Sequence, residues 1–284
     1  MSDRTMPDLT RPSPGRLTGL LEAERCARIE AEDISRALQR SLLPPCLPEI
    51  PGVELAARYH PAGAHSDVGG DFYDAFRLGE DRWGFLIGDV AGKGPGAAAM
   101  TAVVRHTARA TARVSGGLRV PEAVNAALLE SDHEEGFATM TYGDLRLAAG
   151  HVAVRLLSCG HPPAFLVRPD FPIVVVEGSG PLLGQFPVID VEPLALILRP
   201  GDTLVFLTDG VLEARAPRPG GDLTPLTFLG EGGVAAVLKE TRGERAEVIA
   251  QRIEERTVAF SGGWPADDLA VLVLSVLTDG SLAV

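Results

Sequence analysis

The chain has 284 residues, 45% of them hydrophobic and 23% charged, a globular balance that excludes disorder throughout and supplies apolar material for one sizeable core. Its 26 lysines and arginines against 38 aspartates and glutamates leave a net charge of −12, so non-specific nucleic-acid binding is not expected and any phosphorylated ligand needs a local source of positive charge. Cys26, Cys46 and Cys159 form no CxxC pair and no stretch approaches the roughly 20 apolar residues of a membrane span, which argues against a disulfide framework, structural zinc or a transmembrane segment and fits a cytoplasmic protein.

Residues 1–16 hold three prolines and few apolar groups and read as a mobile tail. From Leu17 to Leu43, Leu20, Ala27, Ala31, Ile34 and Leu38 recur at three-and-four spacing, which predicts an amphipathic helix. Pro44, Pro45 and Pro48 stop it. Glu24 and Ser41 interrupt its apolar seam, so pairing with a second copy and packing on its own domain are both open to it. We divide the chain into the tail (1–16), a linker or dimerisation helix (17–50) and one domain (51–278). Only about fifty residues precede the first strand, fewer than a typical independent sensory domain is expected to need.

From Val53 onward short β-like runs dominate: VELAARY, RWGFLIGDV, FATMTYGDLRLAA, HVAVRLLSC, AFLVR, IVVVE, LALIL, TLVFLTDG and LAVLVLSV. Many are joined by a few Gly, Pro or Asp residues, which suits antiparallel neighbours. Helical stretches interrupt them in pairs, GPGAAAMTAVVRHTARATARV with PEAVNAALLESD, and EGGVAAVLKET with RAEVIAQRIEERTVAF. The pattern predicts an α+β fold of stacked sheets covered by helices.

Several aspartates fall beside glycines at the ends of these runs, where a side chain projects from a rigid edge: Asp71 in VGGDFYDAF, Asp89 in FLIGDVAGKG, Asp209 in VFLTDGVLEA, and Asp267 with Asp268 in WPADDLAVLVL. Hard carboxylate ligands with few histidines nearby suit Mg²⁺ or Mn²⁺ better than zinc. A single Asp beside Gly is ordinary turn chemistry, and Asp74 and Asp202 read that way. The recurrence of strand-end acids is what points to a shared cation site. Two such ions can clamp a phosphoryl group and activate a water.

The segments GGDFYD, GDVAGKGPGAA, FATM, CGHPPAFL, PLLG, LRPGDTLVFLTDGVLEA and DDLAVLVL, in this order, resemble the stage II sporulation E (SpoIIE) type of metal-dependent protein phosphatases over about Val53 to Val276. The resemblance implies a central sandwich of two mainly antiparallel sheets flanked by helix pairs, and a centre of two Mn²⁺ or Mg²⁺ ions. It further implies that Asp89 bridges both ions, that the Val90 carbonyl completes one coordination sphere, that Asp71 lies near one ion, and that Asp209 and Asp267 serve on the other side. Asp268 then stands behind Asp267, although the register between these two is open. The implied reaction is hydrolysis of phosphoserine or phosphothreonine on a STAS-type anti-sigma-factor antagonist. A catalytically weak or inactive phosphoprotein-binding regulator with the same fold and a phosphatase for small phosphoesters are the alternatives.

Gly92, Lys93 and Gly94 precede a helix whose amide end can face an anion, so Lys93 is a candidate phosphate contact or simply a solvated loop lysine. His161 reads as a turn histidine bonded to a neighbouring loop, and Thr139 as structural. Ala270 stands where the family commonly has threonine or serine, a departure expected to modulate activity. APRPGGDLTPL, residues 216–226, reads as a mobile flap.

Overall fold

The computed structural model describes residues 42–62, 69–131, 136–217, 227–263 and 265–278. The tail, the helix expected over 17–43 (except its last two residues) and the flap from 218 to 226 lie outside the described residues.

Along the strand Leu269–Val276, successive side chains point to opposite faces. Ala270, Leu272, Leu274 and Val276 enter one apolar cluster, while Leu269, Val271 and Val273 enter another. A strand apolar on both faces belongs in the middle of a layered structure, with a sheet on one side and helices on the other.

The elements run β1 (Val53–His60), β2 (Asp71–Arg77), β3 (Arg82–Val90), α1 (Pro95–Val114), a 3₁₀ turn (Gly117–Arg119), α2 (Val120–Leu129), β4 (Ala138–Ala148) and β5 (His151–Cys159). They continue with β6 (Ala164–Val167), β7 (Val174–Val176), β8 (Leu194–Leu198), β9 (Thr203–Leu207), a one-turn helix α3 (Asp209–Leu212), α4 (Gly230–Glu240), α5 (Ala246–Phe260) and β10 (Leu269–Val276). Two five-stranded sheets form, in the orders β1-β10-β9-β6-β7 and β2-β3-β4-β5-β8. Every strand pair is antiparallel, in line with the short connections in the sequence.

The inter-sheet core holds Trp83, Phe85, Ile87 and Leu145 from one sheet against Leu204, Phe206, Leu272 and Leu274 from the other. Phe85 and Phe206 meet as a tilted pair with ring centroids 5.2 Å apart. On the outer face of the second sheet, Phe72, Phe76, Leu86, Met140 and Tyr142 pack against Met100, Val104, Ala108 and Ala112 of α1 and Val124 and Leu128 of α2. The buried positions of α1 recur every three or four residues, which gives the helix one apolar stripe. The outer face of the first sheet is covered in the same way by Val234, Val237 and Leu238 of α4 and Ile249, Ala250 and Ile253 of α5. The architecture is the expected helix-covered sandwich.

One expectation fails here. Asp74 is no turn residue: it lies mid-strand in β2, a strand absent from the sequence-based runs, and is 1% exposed. Its carboxylate accepts hydrogen bonds from Arg105 (3.1 Å) and, through both oxygens, from Arg109 (2.6 and 3.2 Å). Both arginines project from α1, so a buried charge cluster fixes that helix to β2. Arg109 also lies over the Phe76 ring, 4.9 Å from its centroid. Asp202 is the turn residue expected, accepting the Arg199 amide hydrogen at 3.0 Å just before β9.

Candidate metal centre

The strand register sets the centre. Asp71, the first residue of β2, pairs directly with Asp89 of β3, and Asp89 pairs in turn with Thr139 of β4. The opposite sheet brings Asp209 at the start of α3, straight after β9, and Asp267 and Asp268 just ahead of β10. The acids therefore converge at one end of the sandwich, from both sheets. Carboxylate oxygens of Asp71, Asp89 and Asp209 all lie within 4.8 Å of one another.

Close approach is possible only because of glycine. A Cβ on Gly70 would sit 2.0 Å from the Val90 carbonyl oxygen and 2.5 Å from Asp89 Oδ1. A Cβ on Gly69 would meet Asp268 Oδ2 at 1.2 Å, and one on Gly210 the Asp268 carbonyl at 1.7 Å. These distances are far inside van der Waals contact, so the three glycines are what let the acid-bearing segments close on each other.

Such a cluster is electrostatically unfavourable without cations. Burial first, then the charge of Asp89, holds the Asp71 carboxyl well above the ordinary carboxylate range, although a hydrogen bond from Thr208 pulls the other way. Asp89 is pushed up to about 7 by burial and by the charges of Asp209, Asp267 and Asp268. Asp209 and Asp268 are raised as well, both chiefly by burial. Hard oxygen donors, an excess of negative charge and a cradle with no room for Cβ atoms are what a divalent Mg²⁺ or Mn²⁺ site requires. The residues present fit the expected ions.

The paired acids before β10 differ in their surroundings. Asp268 is buried, with Oδ1 accepting the Ala62 amide hydrogen at 2.6 Å and a further hydrogen bond from Tyr59. The Asp267 side chain is 58% exposed, and its Oδ1 accepts from the Asp268 amide (3.1 Å) and from Lys93 Nζ (3.0 Å). Lys93 itself stands between Gly92 and Gly94, both at positive φ, and Gly94 precedes Pro95 at the start of α1.

The motif reading passed over Thr208. Its hydroxyl is fully buried, donates to Asp71 Oδ2 at 2.6 Å and accepts the Ala270 amide hydrogen at 2.8 Å, so a residue of the first sheet orients an acid of the second. Its place directly before Asp209 in LTDG is the one sequence cue. Ala270, where the family commonly has a hydroxyl, instead fills the inter-sheet core. His161 is corrected in one respect: it is buried and bonds a strand residue rather than a loop, its Nδ1 lying 2.9 Å from Thr139 Oγ1. Burial lowers its pKa to about 3, which keeps the imidazole neutral and unsuited to act as a general acid. Thr139 is its hydrogen-bond partner and pairs with Asp89 in the strand register.

Residues 79–277 match the family described as Stage II sporulation protein E (SpoIIE). The chain belongs to the SpoIIE family. Among individual relatives, it is 27% identical to Protein IcfG of Synechocystis sp. over 275 residues, covering 87% of this chain and 41% of that protein. It is 23% identical over 246 residues to the phosphoserine phosphatase RsbU of Bacillus subtilis, covering 85% of this chain and 69% of the relative. The chain thus spans less than half the length of IcfG. The solved PP2C phosphatase domain of Bacillus subtilis SpoIIE, with a fragment of its regulatory domain, superposes with a TM-score of 0.65 at 22% identity, covering 79% of this chain and 63% of that one. The SpoIIE-type PP2C fold expected from the motifs is the fold observed. Among the described residues, no helix is long and apolar enough to cross a membrane.

Proposed function

We propose that the chain is a metal-dependent phosphoserine/phosphothreonine protein phosphatase whose substrate is a phosphorylated STAS-type anti-sigma-factor antagonist in a partner-switching pathway. The observation that carries this reading is the convergence of Asp71, Asp89 and Asp209 within 4.8 Å at the end of the sandwich, inside a family of PP2C phosphatases. Kinship with RsbU, whose name records action on phosphoserine, supports the substrate class.

In this reading Asp71, Asp89, the Val90 carbonyl, Asp209 and Asp267 hold two Mn²⁺ or Mg²⁺ ions, and Asp268 orients its neighbour from behind. The differing surroundings of the last two acids support that assignment, because Asp268 is already engaged by Ala62 and Tyr59 while Asp267 faces outward. When bound, the ions supply the positive charge that an acidic chain lacks and an activated water. The chain's own share is geometric. Thr208 holds the Asp71 carboxylate, Thr139 and His161 brace the strand beside Asp89, and Lys93 with the amides of Gly92 and Gly94 can meet the phosphate at the start of α1. A cytoplasmic setting and self-pairing through residues 17–50 belong to the same reading.

The test is hydrolysis of p-nitrophenyl phosphate with Mn²⁺, Mg²⁺ or EDTA, followed by release of phosphate from a phosphoserine-bearing STAS protein. Turnover should require metal and be lost in Asp89→Asn and Asp209→Asn. Full metal-dependent turnover by Asp89→Asn would sink the assignment.

A further inference from the structure

Lys93 and Asp267 form an ion pair across the rim of the centre, with Nζ 3.0 Å from Oδ1. The two residues come from separate segments, one from the turn after β3 and the other from the turn before β10. Gly92 and Gly94 flank the lysine at positive φ, with open space where their side chains would stand, so the turn that presents it is built on glycine backbone. The Asp267 carboxylate also belongs to the acid cluster electrostatically, since its charge acts on both Asp89 and Asp209. An oxygen suited to a divalent cation is therefore already held by a cation covalently tethered to the chain.

We propose that the Lys93 ammonium is a built-in competitor for the cation position at Asp267, so that filling that position with a divalent ion and freeing Lys93 for the substrate phosphate are a single coupled event. The proposal rests on the metal-dependent reading above. Asp267 Oδ1 already accepts from Lys93 and from the Asp268 amide, so a divalent ion taken up through that oxygen competes for its lone pairs and repels the ammonium at close range, which drives the lysine off. The displaced ammonium, anchored just ahead of α1, becomes available to an anion at the same rim. Linkage then requires that phosphate tighten the ion at this position and that the ion tighten phosphate by the same factor. The pair is about half exposed, with 49% and 58% of the two side chains accessible. Its strength is that of a surface ion pair, and its removal should change ion affinity by roughly two- to fivefold.

The experiment is a double-mutant cycle on Mn²⁺ binding, followed by isothermal titration calorimetry on the full chain as wild type, Lys93→Met, Asp267→Asn and the double variant. Circular dichroism verifies each fold; both side chains are exposed enough that folding is not at stake. In the wild-type background Lys93→Met should tighten the weaker Mn²⁺ by two- to fivefold, and in the Asp267→Asn background it should do nothing. Inorganic phosphate should tighten that ion in wild type and act less strongly in Lys93→Met. An equal gain in both backgrounds would mean that the lysine acts only as a diffuse positive charge, and would overturn the proposal. An absent or reversed gain overturns it as well. Wild-type protein that binds no Mn²⁺ overturns the metal-dependent reading itself, a result distinct from Mn²⁺ binding that is indifferent to Lys93.

Discussion

Replacing Asp74 by asparagine tests the charge cluster that fixes α1 to β2. Asp74 and Arg105 are both almost fully buried, with side-chain exposures of 1% and 7%, and lie 3.1 Å apart. Removing one charge of such a pair strands the other in the interior, at a cost of about 3–5 kcal/mol. The Arg109 arm contributes less: that side chain is 33% exposed, so its share is on the order of 1 kcal/mol even with two hydrogen bonds. Asp74→Asn should therefore lower stability by about 3–5 kcal/mol in urea unfolding followed by far-ultraviolet circular dichroism, with the m-value unchanged. Arg109→Ala should cost about 1–2 kcal/mol, including its stacking on Phe76. The double replacement Asp74→Leu with Arg105→Met removes both buried charges together and should recover much of the loss. An Asp74→Asn variant within about 1 kcal/mol of wild type, or a double variant that costs the sum of its singles, would refute the claim that this cluster acts as a buried, mutually compensating unit.

Three further outcomes follow from the centre. Because the folded pKa of Asp89 is raised to about 7, its protonated form favours the fold fully below the unfolded value near 3.8, and that contribution fades as pH climbs through 7. In EDTA the midpoint of thermal unfolding should thus fall as pH rises from about 5.5 to about 7 and level off above it, and Mn²⁺, which binds the ionised acid, should tighten about tenfold per pH unit below 7 for each proton displaced and change little above it; calorimetry showing an affinity flat below pH 7 would contradict this. Gly70→Ala should weaken Mn²⁺ by at least about tenfold and cost about 1–3 kcal/mol of stability, since the new methyl must push the Val90 carbonyl away, and an unchanged titration would show that the cradle tolerates a side chain. Thr208→Val keeps the shape but removes the donor to Asp71, so it should cost about 1.5–3 kcal/mol in urea unfolding, while Thr208→Ser should stay near wild type.

Much of the sandwich was legible from local pattern. RWGFLIGDV, HVAVRLLSC, LALIL and LAVLVLSV coincide residue for residue with β3, β5, β8 and β10, because apolar runs bounded by turn residues leave few alternatives. DFYDAFR escaped because its central acid looks incompatible with a buried strand. What makes it compatible is a pair of arginines 31 and 35 residues further along, a tertiary compensation that no local window contains. The acids of the centre could be picked out singly as strand-end residues beside glycine. Their meeting depends on the register Asp71 to Asp89 and on the stacking of the second sheet, which only the folded topology specifies. Thr208 and Tyr59 escaped for the same reason, since each acts on an acid that is remote in the chain. Asp209 was placed at a strand end, and the structure adds that it opens a one-turn helix.

The division of the centre between two sheets bears on how the chain checks its own assembly. Asp71 and Asp89 ride on one layer and Asp209 on the other, so under the proposed metal assignment neither layer alone carries a complete ligand set. A chain whose layers have collapsed together in the wrong alignment, even by a single strand spacing of about 4.8 Å, cannot gather the three carboxylates. Under the proposed reading, ion capture is in that sense a proofreading step: only the correctly stacked sandwich would be rewarded with a bound cation, and each ion held would make that stacking harder to undo.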